Sequence, residues 1–184
     1  MGAIESTRRV LEAIEGASHR VSASVACGQM HGTVLVGDEG QLAFDSIQLW
    51  DDKRPSEEVS AFIATHDVDG LWPIAANPSS VAWPGFKLRW TANHQPESLA
   101  RAASLLMPKD YVNLRLTGML GMGRVRRVLH VSLGRANRRL EPELTSLLGV
   151  DGRLLFQVRA AHVLLGAVSP KAADTRLSRE LQSQ

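Results

Sequence analysis

Residues 21–49 read VSASVACGQMHGTVLVGDEGQLAFDSIQL. Val21, Ala23 and Val25 alternate with Ser22 and Ser24, a second apolar run covers Thr33 to Val36, and Gly37-Asp38-Glu39-Gly40 supplies turn residues before Leu42 to Leu49. A period of two sends alternate side chains to opposite faces of an extended chain. The stretch therefore predicts three consecutive antiparallel strands joined by short turns, and with them an α+β fold whose sheet is mainly antiparallel and flanked by a few short helices.

Upstream, Val10, Leu11 and Ile14 fall at helical spacing among charged residues and run into Gly16, which predicts a short amphipathic helix over Ile4 to Ala17. Downstream, Asp51-Asp52-Lys53-Arg54-Pro55 ends the third strand, and Ser56 caps a helix with apolar positions Val59, Phe62 and Ile63. Asp67 to Pro84 reads as a loop tied down by Trp72 and Trp83. Phe86, Leu88 and Trp90 alternate with Lys87 and Arg89, the pattern of a half-buried strand with a basic outer face. Pro96 and Glu97 open a helix carrying Leu99, Ala102, Ala103 and Leu106 on one side, with Pro108 just past its end. Val112, Leu114 and Leu116, a turn over Gly118 to Gly123, and Val125 to Leu133 read as a hairpin; after Asp151-Gly152, one or two closing strands fall between Leu154 and Val168. The expected organisation is a single domain over residues 1–170 and a loosely ordered tail over 171–184. Long βαβ alternation is missing, which argues against a doubly wound sheet.

The 184 residues, 44% of them hydrophobic, suffice for one sizeable core. No apolar run approaches the roughly 20 residues that span a bilayer, and Glu5, Arg8, Arg9, Glu12 and Glu15 interrupt the start. A cytoplasmic protein without a membrane partner is expected. The lone Cys27 cannot form an internal disulfide or build a zinc site by itself. The charge is uneven: residues 1–96 carry 7 Lys/Arg and 12 Asp/Glu, and residues 97–184 carry 14 and 7. The basic half suits either an anion or the acidic half of the same chain.

Motifs of nucleophilic hydrolysis and phosphate-loop chemistry are absent, since no Gly-x-x-x-x-Gly-Lys-Ser/Thr run or Gly-x-Ser-x-Gly elbow occurs. The six histidines lack the spacing that sets two imidazoles on one helical face. Cys27, Met30 and His31 share one strand junction and contain haem-ligand chemistry, but a small buried cysteine beside a turn histidine accounts for them. No catalytic residue or metal ligand is assigned. Two anion candidates remain. Lys53, Arg54 and Ser56 stand at a predicted helix N-terminus, where free N–H groups and the dipole favour a phosphate. Arg124, Arg126, Arg127, Arg135, Arg138 and Arg139 form a basic patch without an acid between residues 121 and 140, suited to nucleic acid or an acidic protein partner.

The order of elements resembles that of pyridoxamine-phosphate-oxidase-like split β-barrels, which include FMN-binding oxidoreductases and haem-utilisation proteins. The resemblance lies in the opening helix Arg8 to Ala17, the strands over Val21 to Leu49, the Lys53-Arg54 junction, Val112-Asn-Leu-Arg-Leu-Thr-Gly118 and Leu154-Leu-Phe-Gln-Val-Arg-Ala-Ala-His-Val163. It implies a split β-barrel homodimer with a flavin at the subunit interface, FMN foremost and haem or F420 as alternatives. Lys53 and Arg54 match the family's phosphate anchor, and the chain would then be an oxidoreductase. The competing expectation is a non-enzymatic interaction or assembly protein that binds through the 124–139 patch.

Overall fold

The structure is a computed structural model that describes residues 3–75, 77–120, 122–123, 142–155, 158–159 and 164–173. Its centre is an antiparallel pair of strands, β1 (Val34–Val36) and β2 (Ser104–Leu106), registered Val34 to Leu106, Leu35 to Leu105 and Val36 to Ser104. All six residues are buried, so both faces of the pair are covered. Val34, Val36 and Leu106 turn to one side and pack with Leu114; Leu35 and Leu105 turn to the other and pack with Ala43, Leu88, Ala102 and Leu154. The apolar run read at Thr33 to Val36 thus supplies the strand Val34–Val36. Gly37 to Gly40 closes the turn behind it, with the Gly40 N–H donating to the Gly37 carbonyl and Gly40 at φ 78°, a left-handed conformation that glycine adopts freely.

The helices follow from their end signals. The N-terminal helix α1 (Ala3–Ala13) is followed by a short turn of helix, α2 (Ala17–Arg20). Helix α3 (Ser56–Thr65) buries Val59 and Phe62 as expected, whereas Ile63 faces outward. After the short α4 (Trp72–Ala75) come α5 (Pro84–His94) and α6 (Pro96–Arg101), each with proline in its first turn. Helix α7 (Pro108–Thr117) also begins at proline and stops at Gly118, where φ is 72° and the N–H reaches the Leu114 carbonyl at 2.7 Å. Helices α8 (Pro142–Leu147) and α9 (Pro170–Ala173), a short 3-10 turn over Gly152–Leu154 and a two-residue parallel pairing of β3 (Met122–Gly123) with β4 (Val158–Arg159) complete the described elements.

This corrects the expected antiparallel sheet and split β-barrel: the sheets among the described residues have two strands each. Residues 21–29 form no regular element, and Val25 is 86% exposed, because the Val-Ala-Val alternation has no strand among the described residues to pair with. The run Leu42 to Leu49 bends over residues 43–46 and keeps only isolated bridges at Leu42 and Gln48. Phe86, Leu88 and Trp90 lie on a helix. Residues two apart on a helix point to nearly opposite sides, and α5 has apolar packing on both: Phe86 joins Val59, Phe62, Trp83, Leu144 and Leu148, while Leu88 joins Leu35, Ala43 and Leu105. A helix packed on two sides therefore imitates strand alternation. Val112, Leu114 and Leu116 belong to α7 for a related reason, with Leu114 buried and the other two half-buried. The return strand expected from Val125 lies outside the described residues, as does most of Leu154 to Val163. No helix among the described residues is long and apolar enough to cross a membrane.

Candidate functional site

The turn preceding β1 is Gly28-Gln29-Met30-His31-Gly32. It is held close against the start of α7: a Cβ on Gly32 would lie 2.5 Å from Pro108 Cγ, and one on Gly28 would lie 3.3 Å from Lys109 Cβ. His31 adopts φ 60°, a left-handed conformation rare for a side chain other than glycine or asparagine. Opposite it stands the segment that leads into α5. Between the two lies a cavity of about 200 Å³ lined by His31, Asn77, Pro78, Ser80, Ala82 and Trp83.

Lys87, on the first turns of α5, braces both walls from behind. Its side chain is fully buried, and Nζ donates to the His31 carbonyl at 2.6 Å and the Ala82 carbonyl at 3.1 Å. Burial pushes its pKa down from 10.5 to about 8, opposed by the carboxylates of Asp52 and Asp51 and assisted by the cation of Arg54. Asp52 is held in turn by Arg54, whose backbone N–H and guanidinium Nε each donate to Oδ1 at 3.0 Å. Those hydrogen bonds, the guanidinium foremost, keep the Asp52 carboxyl below its ordinary range. The guanidinium also lies over the Trp90 ring at 4.8 Å and near Phe44 at 5.8 Å. Beside this group Thr91 Oγ1 donates to the buried Gln48 Oε1 at 3.4 Å.

The expected anion site is differently arranged. Arg54 is occupied by Asp52 and also reaches Ser46 Oγ at 3.3 Å; Ser56 Oγ donates to the Lys53 carbonyl at 2.6 Å; Lys53 is exposed. The patch Arg124, Arg126, Arg127, Arg135, Arg138 and Arg139 lies outside the described residues. Cys27 and Met30 are exposed, apart from the cavity that His31 lines. Among the described residues no group of three His, Cys, Asp or Glu comes together to hold a metal ion.

Sequence reasoning missed the cavity. Lys87 reads as the solvent face of a strand, and Asn77, Ser80 and Trp83 read as loop. The available signal was Trp83-Pro84-Gly85, a helix start beneath a loop already thought to be anchored by its tryptophans.

Among the described residues the lining combines an imidazole, an amide, a hydroxyl, an indole and two apolar residues, with no Lys, Arg or carboxylate. Its size is below the roughly 300–1,000 Å³ of clefts for drug-sized ligands. Such a site suits a small neutral molecule rich in hydroxyl groups.

Residues 3–178 match the FGGY family of carbohydrate kinases, N-terminal domain. A xylulose kinase of Staphylococcus xylosus is 27% identical over 148 residues, covering 80% of this chain and 30% of that protein. An autoinducer-2 kinase of Klebsiella pneumoniae is 25% identical over 176 residues, covering 94% and 32%. The crystal structure of xylulose kinase from Rhodospirillum rubrum superposes with a TM-score of 0.72 at 27% identity, covering 79% and 30%. The chain thus spans about a third or less of the length of these relatives. The match overturns the resemblance to pyridoxamine-phosphate-oxidase-like proteins and, with it, the expected FMN, haem or F420 and the oxidoreductase activity. The non-enzymatic assembly reading gains no support either. Shared element order misled because the strands that carried it are largely loop or helix here.

Proposed function

Because the chain belongs to the FGGY family of carbohydrate kinases, we propose that it forms the sugar-holding part of a kinase acting on a small ketose or polyol, xylulose-like in size. The observation that supports this reading is the neutral, polar and aromatic cavity between the His31 turn and the segment Asn77 to Trp83.

In this chemistry Mg²⁺–ATP supplies the phosphoryl group. An acceptor hydroxyl oxygen forms the new bond to phosphorus, the bond to the departing ADP breaks, and the hydroxyl proton leaves to a base. The residues described here act on the acceptor. His31, Asn77 and Ser80 offer hydrogen bonds to its hydroxyls, and Trp83, Pro78 and Ala82 receive its C–H surface and exclude water. Holding one hydroxyl in a fixed direction lowers the entropic part of the barrier. A lining without fixed charge among the described residues suits a neutral acceptor better than nucleotide phosphates. A cytoplasmic location goes with dependence on ATP.

Titration calorimetry of the purified chain against xylulose, xylitol and xylulose 5-phosphate tests the reading. We expect saturable binding of the neutral ketose that weakens in Asn77→Ala and Ser80→Ala. Binding of none of the three, or binding unaffected by both substitutions, would contradict it.

A further inference from the structure

We propose that Lys87 is a positioning residue for the sugar: its buried ammonium joins the His31 turn to the Ala82 carbonyl and so holds the two walls of the cavity at one separation. The inference rests on the sugar-binding reading above.

Three observations carry it. The two carbonyls that Lys87 meets belong to residues that both line the cavity, yet they lie 51 positions apart in the chain and no strand pairing among the described residues connects their segments. One of them, His31, has left-handed backbone, a conformation that persists only where surrounding contacts over-determine it. Lys87 is itself fully buried in a helix that packs apolar residues on both sides. Methionine would fill that volume without the cost of taking an ammonium out of water. The charge is explained by what its N–H groups do: an ammonium has three donors and no acceptor, and two of them fix backbone oxygens on opposite walls. The site is then assembled before the ligand arrives, which lowers the ordering cost of binding.

The test is xylulose titration of the ¹⁵N-labelled full chain, followed by the resonances of His31, Trp83 and the Lys87 ammonium, in wild type and in Lys87→Met. We expect the sugar to move the His31 and Trp83 signals in wild type and Lys87→Met to bind it about tenfold more weakly or worse, the loss that removing charged hydrogen bonds produces. A folded Lys87→Met chain with unchanged affinity and unchanged His31 resonances would overturn the proposal. If Lys87→Met does not fold, the wild-type ammonium decides: a ¹⁵Nζ shift that tracks the His31 shift supports the proposal, and an unmoved ¹⁵Nζ beside a moving His31 overturns it. No sugar-induced shift anywhere in the wild type would overturn the sugar reading itself, a separable failure that takes this inference with it.

Discussion

The ammonium nitrogen of Lys87 lies 2.6 Å from the carbonyl oxygen of His31, 56 positions earlier in the chain. A cation held in this way is expected to leave a pH signature on stability. Its folded pKa of about 8 lies below the ordinary 10.5, so between those values the unfolded chain binds more protons and stability rises with pH. The penalty fully present below that window is on the order of 3 kcal/mol. Urea midpoints from about pH 7.5 to about pH 10 should climb more steeply in wild type than in Lys87→Met. Equal slopes would mean that Lys87 titrates normally and is not held as described.

Gly32 is expected to tolerate no side chain. An added Cβ would meet the Pro108 ring at 2.5 and 2.6 Å, and a proline ring cannot rotate away. Gly32→Ala should cost about 1–3 kcal/mol by urea denaturation and displace the His31 turn, so that sugar binding falls as well. A Gly32→Ala chain with wild-type stability would show that the turn and α7 are not packed this closely.

Phe86 and Ile63 make a contrasting pair. Phe86 is 0% exposed and meets the Phe62 ring edge-on at a centroid distance of 5.3 Å, so Phe86→Ala should cost about 3–5 kcal/mol. Ile63 is 47% exposed, and Ile63→Ala should stay within about 0.5 kcal/mol. Similar losses at both positions would contradict the buried place of Phe86 and the exposed place of Ile63.

The Asp52–Arg54 pair should show the same pH sense as Lys87, in an acidic instead of an alkaline window. Asp52 sits below its ordinary 3.8 because of Arg54, so the pair stabilises the fold above that value and the stabilisation is lost as pH falls through the lower folded value. Arg54→Ala should remove about 2 kcal/mol near neutrality, the scale of a charged hydrogen bond, with a smaller deficit in acid. Denaturation curves of wild type and Arg54→Ala that stay parallel down to about pH 3 would contradict it.

How much of this could be read in the sequence varies with the local physics. Val34 to Val36 was legible because a strand with apolar packing on both faces writes a continuous apolar run, and α3 because Ser56 precedes Val59 and Phe62 at helical spacing. The strand reading of Phe86 to Trp90 failed because α5 is packed on two sides, so Phe86 and Leu88 both had to be apolar although they point apart. Val112 to Leu116 failed because Pro108 and Gly118, read as the end of the preceding helix and as a hairpin turn, start and stop α7 instead. Lys87 was illegible for a deeper reason: whether a lysine is solvated or buried depends on two carbonyls remote in sequence, which no local pattern encodes. In the sequence His31 read as a turn histidine or, with Cys27 and Met30, as haem-ligand chemistry. Its place opposite Asn77 and Ser80 is set by the tertiary fold.

The central claim, that the cavity bounded by His31, Asn77, Ser80 and Trp83 holds the acceptor sugar, is tested most directly by a crystal structure of the chain soaked with xylulose. The account predicts density for the ketose in that cavity, with hydroxyls within hydrogen-bond reach of His31, Asn77 or Ser80 and carbon atoms against Trp83. A bound ketose seated elsewhere, or an empty cavity at a concentration that saturates the chain in solution, would contradict it.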